Sequence, residues 1–201
     1  MKKLALLVLL PLFISGCFST PAITVNNICN LMDEEVSWYR SVKAAEKKYG
    51  APVYVALAIM YQESHFASDA KPPREKLFGV VPWFRPTTAY GFAQVKDETW
   101  EWYQLKTGNY DADRDDFDDA IDFVGWYINQ SEKLTGIARS DAYNQYLAYH
   151  EGHGGFNKKS YNSKPWLIKV ARNVDENANR YKRQLNQCAS ELNSNSTWKL
   201  F

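Results

Sequence analysis

The sequence has almost no net charge and very little histidine. Its 24 lysines and arginines nearly balance 23 aspartates and glutamates, which gives a formal charge of +1. Without a basic excess the chain lacks the electrostatic signature of a nucleic-acid-binding protein, and we expect no nucleic-acid partner. Of its three histidines, His150 and His153 stand three positions apart, whereas a helical zinc-protease motif needs four. The sequence therefore predicts no metal and no cofactor.

An acidic stretch has part of the spacing of a calcium loop. Asp111, Asp113 and Asp115 alternate as the first ligands of such a loop do, but the sixth position is Asp116 instead of glycine and the twelfth is Asp122 instead of glutamate. A negatively charged start for the next helix accounts for the same residues.

Long hydrophobic runs are also missing. The longest extends from Leu4 to Ile14, which is too short for a helix to cross a bilayer of about 30 Å. Because Lys2 and Lys3 precede the run and small residues follow it, it is typical of a secretory signal. The sequence therefore predicts an exported protein.

The end of this run resembles the lipobox of bacterial lipoproteins, which reads Ile14-Ser15-Gly16-Cys17 here. The resemblance implies a signal peptide over 1–16, an acylated Cys17 and a tether over 17–28. Phe18, where an aspartate would favour inner-membrane retention, implies the periplasmic face of the outer membrane. The alternative is an ordinary signal peptide with an incidental cysteine.

The chain has only three cysteines. With Cys17 lipidated, Cys29 and Cys188 remain, and an exported chain can pair them. Their separation of 159 positions would close a loop worth about 5 kcal/mol in the chain-entropy account. Two buried thiols are the alternative.

With 201 residues, of which 45% are apolar, the chain is long enough for one domain with a sizeable core. Helical spacing dominates, so we expect an all-α domain over 29–190 and a tail over 191–201. The predicted helices cover Asn30–Lys48, Val53–Gln62, a segment from Asp97, a segment from Asp115, a segment from Ser140 or Asp141 to His150, and Pro165–Cys188. A flexible break is expected at Gly152–Gly155, and at most a short hairpin around Phe78–Pro86.

The second predicted helix is apolar nearly all round and ends in Gln62-Glu63-Ser64. A carboxylate at this place is poorly solvated and lies at the negative end of the helix dipole. Both effects raise the pKa of Glu63 toward the value that a general acid needs near neutral pH. A frayed and solvated glutamate is the alternative.

Three segments, in order, resemble the signature of the soluble lytic transglycosylase (SLT) domain family. They are Gln62-Glu63-Ser64, Ala89-Tyr90-Gly91-Phe92-Ala93-Gln94-Val95 and Tyr146-Leu147-Ala148-Tyr149-His150-Glu151-Gly152. The resemblance covers about residues 50–170 and implies a fold like that of goose-type lysozyme.

The resemblance implies a role for individual residues. Glu63 matches the single catalytic acid/base, and Ser64 the hydroxyl beside it. Tyr90 and Gln94 belong to the segment that lines the sugar site, and Tyr149 matches a tyrosine whose hydroxyl helps to hold the acid and the sugar. The implied reaction cleaves the MurNAc–GlcNAc bond of peptidoglycan and closes a 1,6-anhydro ring without water, so it needs no second carboxylate.

Two departures from the family pattern keep other mechanisms open. Glu151 stands where the family has alanine, and a second carboxylate could activate water in a hydrolytic muramidase. A salt bridge from Glu151 to Arg74 or Arg85 would be a purely structural role for it. The long segment 67–88 has no counterpart in the family pattern, and we expect it to fold over one end of the groove, with Trp83 on a sugar or in the core. The alternative is that it only covers the domain surface, with Trp83 buried away from the groove.

The sequence as a whole thus favours a lipid-anchored lytic transglycosylase, whose partners are glycan strands, the membrane and an envelope or secretion machine. A wall-binding lipoprotein without turnover is the alternative from another class.

Replacing Cys17 tests the predicted anchor. Cys17→Ala should release the protein from the membrane pellet of the cell envelope, because the acyl chains can no longer be attached. Fractionation followed by immunoblotting measures the release. A variant that sediments with the membranes as completely as the parent would contradict the prediction.

Overall fold

The computed structural model describes residues 22–77 and 79–198, without the side chains of residues 77, 81 and 196–198. The predicted signal peptide and Cys17 lie outside the described residues. The elements in chain order are α1 (Ile28–Glu34), α2 (Val36–Tyr49), α3 (Val53–Ser64), β1 (Lys76–Leu77), β2 (Val81–Pro82), α4 (Asp97–Thr107), α5 (Phe117–Thr135), α6 (Ala142–Asn157), a 3-10 turn (Ser160–Ser163) and α7 (Pro165–Trp198). The all-α prediction is confirmed, and the two short strands form the expected hairpin. Among the described residues no helix is long and apolar enough to cross a bilayer.

Helix α3 lies at the centre of the core. It packs against α2, α5, α6 and α7, which together enclose it. A helix without a polar face is stable only when it is enclosed in this way. Its fully buried side chains are Val55, Leu57, Ala58, Ile59 and Met60.

The first predicted helix is wrong as one continuous element. The chain breaks at Glu35, whose φ of −104° and ψ of 67° are not helical. The break lets α1 pack against α7 while α2 packs against α5. Tertiary contacts of the two halves therefore override a pattern that is helical throughout.

The predicted break at Gly152–Gly155 is a kink instead. Only Gly152 leaves the helical region, at φ 72° and ψ 160°, and α6 then resumes to Asn157. The second half is fixed by His153, whose ring stacks on Tyr127 at 4.5 Å and whose Nε2 lies 3.0 Å from the hydroxyl of Ser131. One glycine with positive φ thus bends the helix without ending it.

The last helix begins at Pro165 as predicted but runs past Cys188 to Trp198. Residues 191–198, expected as part of a tail, continue the helix because Leu185 and Leu192 are buried in the core on the α7 face that packs against α1. The hydroxyl of Tyr39 donates to Asn193 Oδ1 at 2.9 Å on the same stretch.

Cys29 and Cys188 form a disulfide, with their Cα atoms 6.2 Å apart. It joins α1, near the start of the described chain, to the last third of α7. The cross-link therefore closes almost the whole domain into one loop.

Removing this cross-link should lower stability. We expect the double variant Cys29→Ala/Cys188→Ala to lose about 2–5 kcal/mol of unfolding free energy, because the unfolded chain regains the entropy of the open loop. Urea unfolding under oxidising conditions measures the loss. A reductant should bring the parent to the level of the double variant and leave the variant unchanged. Equal midpoints in oxidising buffer would contradict the prediction.

Candidate active site

A cavity of about 550 Å³ opens at the C-terminal end of α3. Four of the residues that the sequence selected line it, namely Glu63, Gln94, Tyr149 and Glu151. Helix α5 contributes the aromatic side chains of Phe123 and Tyr127 to its wall. The structure thus brings three distant segments together around one carboxyl group.

Glu63 lies in the last turn of α3, one residue before its end at Ser64. The residue as a whole is half-buried because part of it faces the cavity, whereas the carboxyl is enclosed by protein. Burial raises the pKa of Glu63 to about 7, although a hydrogen bond from the Tyr146 side chain works in the opposite direction. A group with this pKa holds its proton in about half of the molecules at neutral pH, as proton transfer in both directions requires.

The hydroxyl that reaches Glu63 is that of Tyr146, not that of Tyr149 as expected. The Tyr149 hydroxyl donates instead to the carbonyl of Ala93 at 2.6 Å. The two tyrosines are three positions apart on α6, so both face α3 and the loop beside it. The sequence carried one signal for Tyr146, its helical spacing from Tyr149. Burial and the Glu63 carboxyl raise the pKa of Tyr146, so it stays a donor.

Gln94 presents one group to the cavity. Its Nε2 donates to the carbonyls of Ala70 at 2.7 Å and Gly91 at 2.9 Å, so both amide hydrogens are used. Because both partners are acceptors, the amide nitrogen must face them. The group left for a ligand is the Oε1 acceptor, which suits a hydroxyl or an N–H donor.

The loop that carries Gln94 is fixed by Gly91, Phe92 and Arg114. Gly91 has a φ of 75°, and a Cβ there would lie 2.0 Å from the carbonyl oxygen of Arg114. The Phe92 ring packs edge-on against the stacked rings of Trp38 and Phe117, at 5.6 and 5.5 Å. These contacts fix the position of the loop that carries Gln94 relative to the core.

The Arg114 guanidinium closes the same loop from the other side. It donates to the carbonyls of Thr88 at 3.2 Å and Val95 at 3.1 Å, and pairs with Asp97 at 2.7 Å. The sequence analysis missed Arg114, because nothing in its neighbourhood marks it as a partner of residues about twenty positions away.

Two of the selected residues do not line the cavity. Ser64 is buried, and its hydroxyl donates back to the Met60 carbonyl at 3.4 Å. The Tyr90 hydroxyl donates to Asp115 at 2.8 Å, in the acidic stretch before α5. In this structure Ser64 thus bonds the backbone of its own helix, and Tyr90 ties its loop to the acidic stretch before α5.

Glu151 is buried and fully engaged. Its side chain is 4% exposed and binds Lys164 Nζ at 2.6 Å, His150 Nδ1 at 3.0 Å and the Ser160 hydroxyl. Burial acts to raise its pKa, but these donors outweigh burial and lower the pKa to about 2. The carboxylate is thus a weak base in a closed network.

The expected salt bridge from Glu151 to an arginine of the inserted segment is wrong. Arg74 donates to the Trp83 carbonyl at 3.0 Å, and Arg85 to the Pro72 carbonyl at 2.9 Å. The 3-10 turn after α6 supplies Ser160 and lies next to Lys164, so the partners of Glu151 come from a nearer part of the chain.

Only the flanks of the segment 67–88 reach the cavity. Pro72 and Thr87 line it, whereas none of the described residues between 74 and 86 does. Trp83 is exposed and enters neither the core nor the cavity wall. The expectation that Trp83 lies on the cavity or in the core is therefore wrong, and the segment contacts the cavity through its flanks.

The acidic residues before α5 serve the backbone. Asp116 accepts from the amides of Asp118 and Asp119 and so caps the helix. The described residues contain no group of three or more histidine, cysteine or acidic side chains arranged to hold a metal ion. Burial lowers the pKa of His153 to about 4, which keeps this histidine neutral.

Comparison with known proteins adds a family to this geometry. A family model described as the transglycosylase SLT domain matches residues 5–188. No curated protein shows a significant match to the chain.

Replacing Glu63 tests its environment independently of any substrate. The pKa of Glu63 is raised in the folded protein, so its ionisation costs stability as pH rises from about 4.5 toward 7. Glu63→Gln removes that cost, and we expect it to raise the unfolding free energy by up to about 3 kcal/mol above pH 7 and to change it little near pH 4. Urea unfolding at a series of pH values measures the difference. The exposed Glu101→Gln is the matched control, and the same small effect from both variants at all pH values would contradict the prediction.

Proposed function

The chain belongs to the transglycosylase SLT domain family, and from this premise we propose that it is a peptidoglycan lytic transglycosylase. It cleaves the MurNAc–GlcNAc glycosidic bond and forms 1,6-anhydroMurNAc, with Glu63 as the single acid/base. The observation that carries the proposal is the enclosed Glu63 carboxyl, with a pKa of about 7, in the wall of a sugar-sized cavity.

The first step is proton donation. The neutral Glu63 carboxyl donates its proton to the glycosidic oxygen, the bond from MurNAc C1 to that oxygen breaks, and the GlcNAc portion leaves as an alcohol. Positive charge then develops at C1 and the ring oxygen. The rings of Phe123 and Tyr127 also line the cavity, and the new Glu63 carboxylate, which protein encloses, acts on this charge more strongly than a carboxylate in water would.

The second step returns the proton. The Glu63 carboxylate takes the proton of the MurNAc C6 hydroxyl while O6 bonds to C1, which closes the anhydro ring and restores the neutral acid. No water is consumed, so no second carboxylate takes part. A pKa near 7 serves donation and acceptance equally.

Neighbouring groups support this cycle. The Tyr146 hydrogen bond favours the charged form of Glu63, which exists between the two steps. The free Oε1 of Gln94 is suited to accept from a sugar hydroxyl or an acetamido N–H, which would orient the ring against Glu63. Tyr149, although its hydroxyl bonds the Ala93 carbonyl, keeps its ring on the cavity wall. Ser64 and Tyr90 were expected to contact the substrate. In this proposal they instead stabilise the structure around the site through their hydrogen bonds to Met60 and Asp115.

One observation favours a second candidate function, a hydrolytic muramidase: Glu151 lines the same cavity as Glu63. Its engagement by Lys164, Ser160 and His150, and its pKa of about 2, argue against general-base activation of water. A binding protein without turnover is less consistent with the structure. Burying the Glu63 carboxyl costs folding free energy, and binding alone does not need a carboxyl group with a raised pKa.

The location follows from the N-terminal sequence. We propose export, cleavage after Gly16, acylation of Cys17 and attachment to the periplasmic face of the outer membrane. The wall then lies within reach of the domain. An envelope or secretion machine that needs a local opening in the wall is the partner that this location suits.

Loss of the acid should stop the reaction. We expect Glu63→Gln to lower kcat about 10²–10⁴-fold while retaining binding to peptidoglycan, because the amide cannot donate an acidic proton. In the parent, kcat should fall above about pH 7 as Glu63 loses its proton. Release of soluble muropeptides measures turnover, sedimentation with sacculi measures binding, and Glu101→Gln is the control. Near-normal turnover of Glu63→Gln would remove the basis of the proposal.

Glu151 separates the two candidate mechanisms. We expect Glu151→Gln to leave 1,6-anhydroMurNAc as the product, because this residue supplies no base to the reaction. Mass spectrometry of the products distinguishes anhydro from reducing ends. Reducing ends from the parent that disappear in Glu151→Gln would establish hydrolysis instead.

A further inference from the structure

Three large apolar side chains within five residues of the hairpin β1–β2 and its flank are exposed. Val80 is 74% exposed, Trp83 58% and Phe84 51%. The other large apolar side chains exposed in the described part of the chain are scattered over α4, α5, α7 and a loop. We call Val80, Trp83 and Phe84 the hairpin surface. Exposed apolar side chains that lie this close together in one hairpin point to a place of interaction.

The hairpin surface is held by a defined backbone. Leu77 pairs with Val81 and Lys76 with Pro82. Beyond the strands the ladder continues, because the Glu75 amide donates to the Phe84 carbonyl at 2.8 Å and the Trp83 amide donates to the Glu75 carbonyl at 2.7 Å. Trp83 and Phe84 are therefore exposed on a segment whose backbone is held by hydrogen bonds.

The same segment is strongly basic. Residues 71–86 contain four cations, Lys71, Arg74, Lys76 and Arg85, and one acid, Glu75, which gives +3. The chain from Cys17 onward has 22 cations and 23 acids, or −1, so everything outside the segment sums to −4. Arg74 and Arg85 donate to carbonyl oxygens, which leaves their positive charge uncompensated by those contacts. Residues 71–86 thus carry a positive net charge within a chain whose other residues sum to a negative charge.

Segment 67–88, which carries the hairpin, starts close to the point where the described chain enters the domain. The Ile23 amide donates to the His65 carbonyl at 2.9 Å, directly before the segment that carries the hairpin. Cys17 stands six positions before Ile23, a length of chain that spans at most about 20 Å. An acyl chain on Cys17 would therefore hold the base of this segment close to a bilayer.

We propose that the hairpin surface inserts into the headgroup region of an anionic phospholipid bilayer. Tryptophan and phenylalanine favour that region, and lysine and arginine beside them are attracted by anionic headgroups. A sugar chain would account for the aromatic rings but not for the exposed Val80. The hairpin thereby becomes a second contact with the membrane, after the lipid, and orients the cavity of the anchored domain. This role goes beyond the proposed function, since it involves no glycan.

Bilayer-depth quenching tests the insertion. The exported full-length protein is bound to vesicles of phosphatidylethanolamine and phosphatidylglycerol whose acyl chains carry bromine near the headgroup, which quenches tryptophan at short range. We expect Trp83→Phe to lose most of the quenching that the parent shows. Trp166→Phe, which removes another exposed tryptophan, should retain it. Equal quenching in the parent and in Trp83→Phe would overturn the proposal.

The charge of the segment is tested in the same assay. We expect Lys71→Gln/Lys76→Gln to lose quenching in these vesicles, whereas the exposed pair Lys106→Gln/Lys133→Gln should not. Replacing phosphatidylglycerol by phosphatidylcholine should reduce quenching of the parent, because each cation near an anionic surface contributes about fivefold to binding. Quenching that is insensitive to both changes would overturn the electrostatic part of the proposal.

A wall-binding hairpin gives a different result. If Trp83→Ser lowers sedimentation with isolated sacculi or turnover of peptidoglycan in detergent, the hairpin serves the glycan and the proposal fails. We expect both to remain within twofold of the parent. The vesicle assay contains no glycan. A negative result in that assay therefore does not bear on the proposed enzymatic activity, and a protein without that activity could still show the quenching.

Discussion

The domain is organised around the cost of enclosing one carboxyl group. Helix α3 has apolar side chains on every face, so four other helices must surround it before it is stable. Glu63 is attached to the last turn of that helix and is drawn out of water together with it. Among the described residues, burial is the dominant influence on Glu63 and the neutral donor Tyr146 only partly opposes it, which leaves the pKa near 7 instead of in the normal range of a glutamate.

Two carboxyl groups in one cavity show how differently this fold treats the same chemical group. Glu63 has burial as its dominant influence and keeps a proton near neutral pH. Glu151 is also buried, but an ammonium, a hydroxyl and an imidazole compensate it and make it a permanent anion. The kink at Gly152 and the 3-10 turn after α6 bring those three donors to one point. The environment, and not the residue type, separates a proton carrier from a structural anion.

Local patterns were sufficient for the parts of the site that depend on one helix. The uniformly apolar α3, the position of Glu63 at its end and the cap at Asp141 follow from side chains within a few positions of each other. Contacts made across the fold were not predictable in this way. Tyr146 reaches Glu63 because α6 packs against α3, and Lys164 reaches Glu151 through a turn that the sequence does not mark. The helix breaks at Glu35 because α1 packs against α7 while α2 packs against α5. A local stretch of sequence does not show contacts with helices so far along the chain.

The disulfide has a mechanical consequence for a domain held by its N-terminus. Tension on the tether meets first the hydrogen bond from Ile23 to His65, at the end of the helix that carries Glu63. It next meets Cys29, which is covalently joined to Cys188. Beyond that point a pull on the tether is shared between the chain that follows Cys29 and helix α7, which the disulfide joins to it. The domain therefore cannot unravel from its N-terminal end alone while the disulfide is intact.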